Sequence, residues 1–278
     1  MLTLQAIGII QYPKTTKRLC TYPDNRPILL VSGQVEKNLK RNPFLAGIFQ
    51  VFQSQLKLDV LSKKEYTERK RDEGGQMKSQ PIEISGGYIL NQATQLNHLT
   101  ANEFQLQNNS DRTCLRKKPR IGILNRRISA GRSIINADLL ARTPVVQDFS
   151  HNNSVSVQYF EGLDFVEQVS FFRSIDILVA SHGAQLTGVA FMNARCSHLV
   201  ELFPKGYAIP DFFGSLAINS GKKYSYLYMS ENSFGTEQSV SFADRRQARS
   251  VNLCPSPSMM ASILGELSDS WRTCCEEK

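Results

Sequence analysis

The sequence predicts an α/β protein built on a parallel sheet with helices on its faces. Three observations support this fold class. Short apolar segments alternate with amphipathic segments through the second half of the chain, the order expected of parallel strands joined by helices. One segment, IDILVA at 175–180, is apolar enough for a strand buried on both faces. The 278 residues are 41% hydrophobic and 21% charged, as in ordinary globular proteins, which argues against disorder.

The N-terminal hundred residues are weakly patterned. We predict a strand over 28–32 and a helix over 44–58, where apolar side chains recur on one helical face. The stretch 63–78 is highly charged and contains Gly-Gly, which favours an exposed loop. A short strand within 81–90 and a helix over 96–106 complete this part of the chain.

The second half carries clearer signals. The predicted elements, in chain order, are a strand at 120–124, a helix at 136–142, a strand at 155–160, a helix at 165–173, a strand at 175–180, a helix at 184–192, a strand at 198–203 and a last helix at 258–275. The helix at 136–142 ends before Pro144, because the residue before a proline disfavours helical backbone. We divide the chain into a first domain at 1–115, a second at 116–255 and a C-terminal helix at 256–278.

Charge and hydropathy limit the partners. The chain has 33 Lys and Arg against 25 Asp and Glu, a net charge of +8, which indicates either a solvated basic surface or an anionic partner. No apolar run approaches the roughly 20 residues that span a bilayer. The N-terminal MLTLQAIGII lacks the basic region and the cleavage site of a signal peptide. The six cysteines form no Cys-x-x-Cys pair, which argues against a zinc site and leaves disulfides open.

Several common catalytic motifs are absent from the sequence. It contains no GxGxxG, no GxxxxGK[ST], no GxSxG and no HExxH. These absences argue against most nucleotide triphosphatases, serine hydrolases and zinc peptidases, and against a standard dinucleotide site. Asp-x-Asp is also missing, so the sequence shows no two-carboxylate clamp for a divalent metal.

The segment SHGA follows the strand at 175–180 directly and leads into the predicted helix at 184–192. Ligands of open α/β sheets bind beyond the carboxyl ends of the strands. At such a place Gly183 lets a ligand approach the backbone, and the helix that begins at Ala184 favours an anion at its N-terminus. His182 offers a further hydrogen bond. The pattern indicates a phosphate or diphosphate site, with a tight turn capped by a histidine as the alternative.

Eight basic residues stand between 112 and 132 with no acid among them. Arg126 and Arg127 closely follow the strand at 120–124, and Arg132 follows six residues after Arg126. A guanidinium binds phosphate oxygens through two parallel hydrogen bonds. Arg126 and Arg132 are therefore predicted phosphate ligands, whereas Arg127 fits a solvated loop equally well.

A carboxylate interrupts the apolar strand at 198–203. Burial of an unpaired charge is costly, so Glu201 in VELFPKGY is hard to explain by packing alone. We predict that it accepts hydrogen bonds from the ribose hydroxyls of a nucleotide. A solvent-facing strand residue is the alternative. Phe203 and Tyr207 fit the flanks of a base and core positions equally well.

At these residues the sequence resembles glycosyltransferase family 61. That family includes plant xylan arabinosyl- and xylosyltransferases, the EGF-domain O-GlcNAc transferase and the protein O-mannose GlcNAc transferase. Three ordered blocks carry the resemblance: RIGILNRRISAGRSIIN at 120–136, FVEQVSFFRSIDILVASHGAQLTGVAFM at 165–192 and HLVELFPKGY at 198–207. The resemblance covers about 118–229, is loose over the first hundred residues and hardly reaches the last fifty.

The resemblance implies a GT-B-like architecture of two Rossmann-like domains, the first of which is here short or incomplete. It implies inverting transfer of a sugar from a nucleotide sugar, with UDP as the expected nucleotide, to a hydroxyl of a glycan or protein. Protein cations would replace a metal, and no cofactor besides the donor is expected. The residues expected around the donor are Arg126, Arg132, His182, Gly183, Ala184 and Glu201.

The resemblance also bears on the base, the location and the completeness of the chain. The general base would come from the first domain, where four groups are available and none is preferred: Glu65, Glu83, His98 and Glu103. The expected location is the secretory pathway, in the Golgi lumen, although no targeting segment and no membrane anchor are visible. Either the acceptor domain is reduced or the gene model starts late.

Two other functional hypotheses remain open. A catalytically inactive pseudo-transferase, which only binds a nucleotide sugar or a glycan, is favoured by the short first domain. A nucleic-acid binder is favoured by the basic charge. It is disfavoured because the basic residues cluster around one strand and lack interleaved aromatic side chains.

Overall fold

The protein is described from a computed structural model. The structure describes residues 28–31, 41–55, 59–72, 81–83, 93–106, 114–193, 196–229 and 247–277. The chain forms two compact units. The first comprises residues 1–107 with Asp164–Glu167, and the second comprises 108–163 with 168–278. The division after residue 107 lies close to the sequence-based boundary at 115, and the C-terminal helix is part of the second unit.

The first unit contains a three-stranded parallel sheet in the order β2-β1-β3. Its elements are β1 (Ile28–Val31), α1 (Pro43–Gln55), β2 (Asp59–Ser62), α2 (Lys63–Asp72), β3 (Pro81–Glu83) and α3 (Ala93–Glu103). Strand β1 is central, with Ile28 paired to Asp59 on one side and to Pro81 on the other. This unit is therefore a small α/β layer rather than an irregular segment.

The predicted loop at 63–78 is wrong over 63–72, where the chain forms helix α2. Lysine, glutamate and arginine have good intrinsic helix propensity. Lys64 and Glu68 lie one turn apart, with their charged atoms separated by 3.9 Å. The remainder of that stretch, 73–78, lies outside the described residues. Strand β2 has no counterpart among the predicted elements.

The second unit contains a five-stranded, fully parallel sheet in the order β5-β4-β6-β7-β8. Its strands are β4 (Ile121–Asn125), β5 (Val155–Tyr159), β6 (Ile177–Ser181), β7 (His198–Pro204) and β8 (Lys223–Met229). Its helices are α4 (Ala137–Arg142), α5 (Pro144–Gln147), α6 (Phe165–Ser174, which begins in the residues of the first unit), α7 (Pro210–Asn219) and α8 (Pro257–Glu276). The parallel sheet confirms the predicted α/β class.

Two details of the second unit differ from the prediction. The segment predicted as a helix at 184–192 is a 3₁₀ helix over Ala184–Phe191. Helix α7 and strand β8 have no counterpart among the predicted elements. Strand β8 is at the edge of the sheet and reads KYSYLYM, so its polar and aromatic residues lack the apolar run of a central strand.

The core of the second unit lies on a face of the sheet that is covered by α4 and α8. Every residue of β4, β6 and β7 is buried, which explains their nearly continuous apolar sequences. From α8, Met260 and Leu264 pack into the same cluster as Val179 and Val200. Ser256 caps α8 by accepting a hydrogen bond from the Met259 N–H at 3.2 Å.

Two disulfides join α8 to distant parts of the second unit. Cys114 bonds to Cys275, and Cys196 bonds to Cys274. The two adjacent cysteines therefore each take a partner far away in the sequence, 161 and 78 residues off. Among the described cysteines, Cys254 is unpaired and exposed. No helix in the described part of the chain is long and apolar enough to cross a membrane.

The buried His198, at the start of β7, predicts a loss of stability in acid. Burial and the neighbouring Lys223 lower the pKa of His198 from 6.5 to about 4. The unfolded chain therefore takes up this proton near pH 6.5, whereas the folded protein resists it down to about pH 4. The stability contribution is full above pH 6.5 and is lost as the pH falls toward 4. Between pH 7 and pH 5 the His198 contribution is at most about 2 kcal/mol.

Urea unfolding at pH 7 and at pH 5 tests this prediction. His198→Gln should lose less free energy of unfolding over that interval than the wild type, by about 1–2 kcal/mol. An equal loss in both proteins would show that His198 does not carry the effect.

The order of the strands places a crevice at one edge of the second sheet. From β4 the chain moves outward to β5 and then returns to the other side of β4 to form β6. Between β4 and β6 the connections thus leave in opposite directions, and ligands of such sheets bind beyond the carboxyl ends of these two strands. The residues that follow β4 and β6 are Arg126 and His182, which the sequence analysis singled out.

Candidate functional site

The loop after β4 is held in place by a buried asparagine. Asn125 donates from Nδ2 to the Ile134 carbonyl at 2.9 Å, and its Oδ1 accepts from the Ile134 N–H at 2.8 Å. These two bonds close the loop that carries Arg126 and Arg132. Within it Gly131 has φ +67°, and a Cβ on it would lie 2.5 Å from the Arg249 carbonyl. Glycine is therefore required there by both conformation and space.

Three arginines and a histidine converge on one pocket of about 340 Å³. They are Arg126 and Arg132 from the loop after β4, His182 from the end of β6, and Arg249; we call this site the arginine pocket. The two loop arginines are buried although they carry full charges. Their Nε atoms have no hydrogen-bond partner within the described part of the protein. Buried donors without partners indicate a ligand with acceptor oxygens.

The electrostatics of the arginine pocket favour an anion. Burial, followed by repulsion from Arg132, lowers the pKa of Arg126 to about 10. Burial, followed by repulsion from Arg249, lowers the pKa of Arg132. Glu161 lines the same pocket and opposes the shift of Arg126. One carboxylate against three guanidinium groups leaves an excess of positive charge, which an anionic ligand would relieve.

His182 is held in a fixed orientation at the floor of the pocket. Its Nδ1 lies 2.6 Å from a carboxylate oxygen of Glu201, and its ring stacks on Phe203 with the centroids 5.1 Å apart. A carboxylate only accepts hydrogen bonds, so Nδ1 carries the proton. The other ring nitrogen, Nε2, lies 3.4 Å from the Tyr207 hydroxyl, on the side of the pocket. Nε2 can donate to an oxygen of a ligand in the pocket when it also carries a proton, as in the imidazolium form.

The position of Glu201 differs from the expectation. Its side chain is 0% exposed and does not face the pocket. One oxygen binds His182, and the other accepts a hydrogen bond from the Tyr224 hydroxyl at 2.8 Å. Burial and the carboxylate of Glu201 raise the pKa of Tyr224, so that hydroxyl keeps its proton and donates. Because both oxygens are occupied away from the pocket, Glu201 orients His182 instead of accepting ribose hydroxyls.

Gly183 and Ala184 line the pocket at the start of the 3₁₀ helix. The backbone of Gly183 is extended, with φ 165°, which any residue can adopt. A Cβ at this position would overlap the guanidinium of Arg126, so a larger residue here would displace that guanidinium. The sequence predicts that Gly183 lets a ligand approach the backbone, and in the structure the guanidinium of Arg126 lies against this glycine.

Two other basic residues near β4, Arg127 and Arg116, lie outside the arginine pocket. Arg127 is exposed, and its described hydrogen bonds use only backbone atoms: its N–H donates to Glu161 at 2.8 Å and its carbonyl accepts from the Ala130 N–H at 2.9 Å. Arg116 forms an ion pair at 2.5 Å with the buried Asp176, near the opposite ends of the strands.

Part of the pocket is lined by residues that the sequence does not predict to be there. Its further lining residues are Ala130, Glu161, Gln185, Phe212, Phe213 and Arg249. Arg249 reaches the site because its segment pairs with the loop after β4: the Arg132 N–H donates to the Val251 carbonyl at 2.9 Å. The nearest sequence signal is the basic cluster DRRQAR at 244–249, which by itself points to no particular site.

Of the four candidate bases, the structure describes the side chains of two, Glu103 and Glu65. Glu103 accepts side-chain hydrogen bonds from Gln50, Ser54 and Gln55. These bonds, led by that of Ser54, lower the pKa of Glu103, which makes it a weaker proton acceptor. Glu65 lies exposed in the first turn of α2. Glu83 lies in β3 and His98 in α3, and their side chains lie outside the described part of the protein.

A family model described as Glycosyltransferase 61 matches residues 34–199, which is 166 of the 278 residues. The chain belongs to glycosyltransferase family 61. The matched residues include Arg126, Arg132, His182 and Gly183, whereas Arg249 lies beyond them. Most of the residues that line the arginine pocket therefore lie within the matched range.

Other comparisons add little to the family assignment. Comparison with curated proteins gives no match. Among solved structures, the chain is similar to a metal-soaked Flv1 flavodiiron core from Synechocystis sp. PCC6803. That similarity has a TM-score of 0.35 and 11% sequence identity, and it covers 71% of this chain and 43% of the other. It is too low to carry an argument about function.

Proposed function

We propose that this family 61 member is an inverting glycosyltransferase that moves a sugar from a UDP-sugar to a hydroxyl of a glycan or protein. In this proposal the two units are the halves of a GT-B-like enzyme, and the second unit holds the donor. The observation that carries the proposal is the convergence of Arg126, Arg132, Arg249 and His182 on one pocket at the crevice of the parallel sheet. A diphosphate has the charge and the acceptor oxygens that these groups require.

The chemistry follows from the charge of the leaving group. In an inverting transfer the acceptor oxygen bonds to the anomeric carbon while the bond from that carbon to the phosphate oxygen breaks. Negative charge then grows on the diphosphate, and fixed cations in a partly buried site stabilise it more than water does. Protein cations thus take the role that a metal plays in other transferases, and we expect no metal requirement. A base in the first unit, not yet assigned, would take the acceptor proton.

The two disulfides support a location in the secretory pathway, such as the Golgi lumen. Disulfides form and persist in oxidising compartments and are rare in the cytosol. Cys114–Cys275 and Cys196–Cys274 both lie in the unit that carries the arginine pocket. Secretion of the protein with both bonds formed, measured by peptide mapping without reduction, is the expected result.

His182→Ala is expected to weaken UDP binding by about 10- to 100-fold without unfolding the protein. The variant removes one hydrogen bond to a charged ligand, which contributes about 1.5–3 kcal/mol. Isothermal titration with UDP measures the change. A matched control is His198→Ala, which removes a buried histidine at the opposite end of the sheet. If His182→Ala bound UDP as tightly as the wild type, the arginine pocket would not be the diphosphate site.

A further inference from the structure

A second cavity lies beside the arginine pocket at the same edge of the sheet. It has a volume of about 750 Å³. Pro204, the last residue of β7, and Met229, the last residue of β8, line it together with residues of the segment 247–254. We call it the β8 cavity. None of its lining residues lines the arginine pocket.

The β8 cavity and the arginine pocket are separated by a thin layer of the protein. Gly206 lines the β8 cavity, and the next residue, Tyr207, lines the arginine pocket. Likewise, Ala248 lines the β8 cavity and Arg249 lines the arginine pocket. The Tyr207 ring itself lies near the guanidinium of Arg249, 5.8 Å from its carbon. A ligand that binds both cavities therefore has to cross the boundary near Tyr207 and Arg249.

Backbone hydrogen bonds fix the distance between the two cavities. Ser133, next to Arg132, donates its N–H to the Asn252 side chain at 3.0 Å and accepts from the Leu253 N–H at 2.7 Å. Asn252 and Leu253 line the β8 cavity. The arginine loop and the lining of the β8 cavity are thus parts of one hydrogen-bonded unit. Such a pair of sites suits a ligand whose charged part and neutral part are covalently joined.

The lining of the β8 cavity is mainly apolar, with a few polar groups. The apolar contributors are Pro204, Met229, Ala248, Val251 and Leu253, and polar groups come from Lys205, Gln247 and Asn252. Small-molecule sites have this composition, and the volume lies within their usual range of about 300–1,000 Å³. A planar base with a ribose fits such a surface, whereas a glycan acceptor has hydroxyls that need many more polar partners.

We infer that the β8 cavity binds the nucleoside of the donor while the arginine pocket binds its diphosphate. This inference rests on the proposed function and adds the second half of the donor site. It assigns donor recognition to the 247–254 segment, which lies outside the family match at 34–199. Affinity for the nucleoside and affinity for the diphosphate are then separable by substitution.

Cys254 provides a chemical probe of the β8 cavity. Its thiol is free, exposed and part of the lining. UDP at ten times its Kd should slow alkylation of Cys254 by N-ethylmaleimide about tenfold, as expected for occupancy by mass action. Inorganic pyrophosphate at ten times its own Kd should leave the rate unchanged. Peptide mass spectrometry measures the modification at Cys254 separately from that at the other cysteines.

Val251→Trp tests the same assignment by filling the cavity. The Val251 side chain is 48% exposed, so a larger residue is tolerated by the fold. We expect the variant to bind UDP at least about tenfold more weakly and to bind pyrophosphate as the wild type does. Val145→Trp is the matched control, because Val145 is 46% exposed and lies on α5, lining neither cavity. It should leave both affinities unchanged.

The outcomes separate the inference from the proposed function. If wild type binds UDP, but UDP leaves Cys254 reactive and Val251→Trp binds UDP normally, the nucleoside lies elsewhere and the inference is overturned. Equal weakening of UDP and pyrophosphate by Val251→Trp also overturns it. If wild type binds neither UDP nor pyrophosphate, the proposed function itself fails.

Discussion

Arg126→Ala is expected to lower kcat/KM for the donor by at least about 100-fold, the loss typical when one preorganised donor to a developing anion is removed. Arg126 is buried, and its guanidinium covers Gly183 at the start of the 3₁₀ helix. Its position is set by the loop that Asn125 closes. The charge is thus held in the arginine pocket before a ligand binds. Steady-state release of UDP measures the effect.

The neighbouring residue supplies the control for this prediction. Arg127→Ala removes an equal charge from an exposed residue whose described hydrogen bonds use only backbone atoms. We expect it to change kcat/KM by less than about threefold, as for a surface charge that salt screens. Equal losses in the two variants would mean that general positive charge, and not the geometry of the arginine pocket, supports the reaction.

Removal of the Cys114–Cys275 bond is expected to cost about 2–5 kcal/mol of the free energy of unfolding. The bond closes a loop of 161 residues, and a cross-link over a long loop removes much of the entropy of the unfolded chain. The double variant Cys114→Ser with Cys275→Ser avoids leaving a free thiol next to Cys274. Urea unfolding without reductant measures the difference from the wild type.

Cys254→Ser is the control for the disulfide prediction. Its thiol is unpaired and exposed, so the free energy of unfolding should change by less than about 0.5 kcal/mol. In the presence of reductant the double variant and the wild type should become similar, since both then lack the bond. If they unfolded at the same urea concentration without reductant, the bond would not form in the folded protein.

The parts of the fold that the sequence predicts are those in which local pattern and final environment agree. Strands β4, β6 and β7 are buried along their whole length, and their apolar runs identify them. Helix α2 is charged on all sides, so no hydrophobic period marks it, and only helix propensity and the pairing of Lys64 with Glu68 favour it. Edge strand β8 is missed for a related reason. Its residues are all at least partly exposed and mix polar with aromatic side chains, so no apolar run marks it.

The candidate site likewise contains residues that the sequence predicts and a residue that it does not. Arg126, His182 and Gly183 follow predicted strands directly, and parallel strands bring their carboxyl ends to one edge. Arg249 depends on a pairing across 119 residues, between Ser133 and Asn252, which no local pattern encodes. Glu201 was recognised because a carboxylate in a buried strand needs a partner. Its partner, His182, follows from the register in which Ser181 of β6 lies beside Leu202 of β7.

The central claim is that the arginine pocket activates a nucleotide sugar for transfer, and turnover tests it most directly. The measurement is UDP release by the wild-type protein from UDP-xylose, UDP-arabinofuranose, UDP-N-acetylglucosamine and UDP-glucose, with and without glycan and peptide acceptors. The account predicts release from at least one donor in the presence of a chelator, and its loss in Arg126→Ala. UDP binding without release from any of these donors would contradict the account and identify the chain as a binding-only pseudo-transferase.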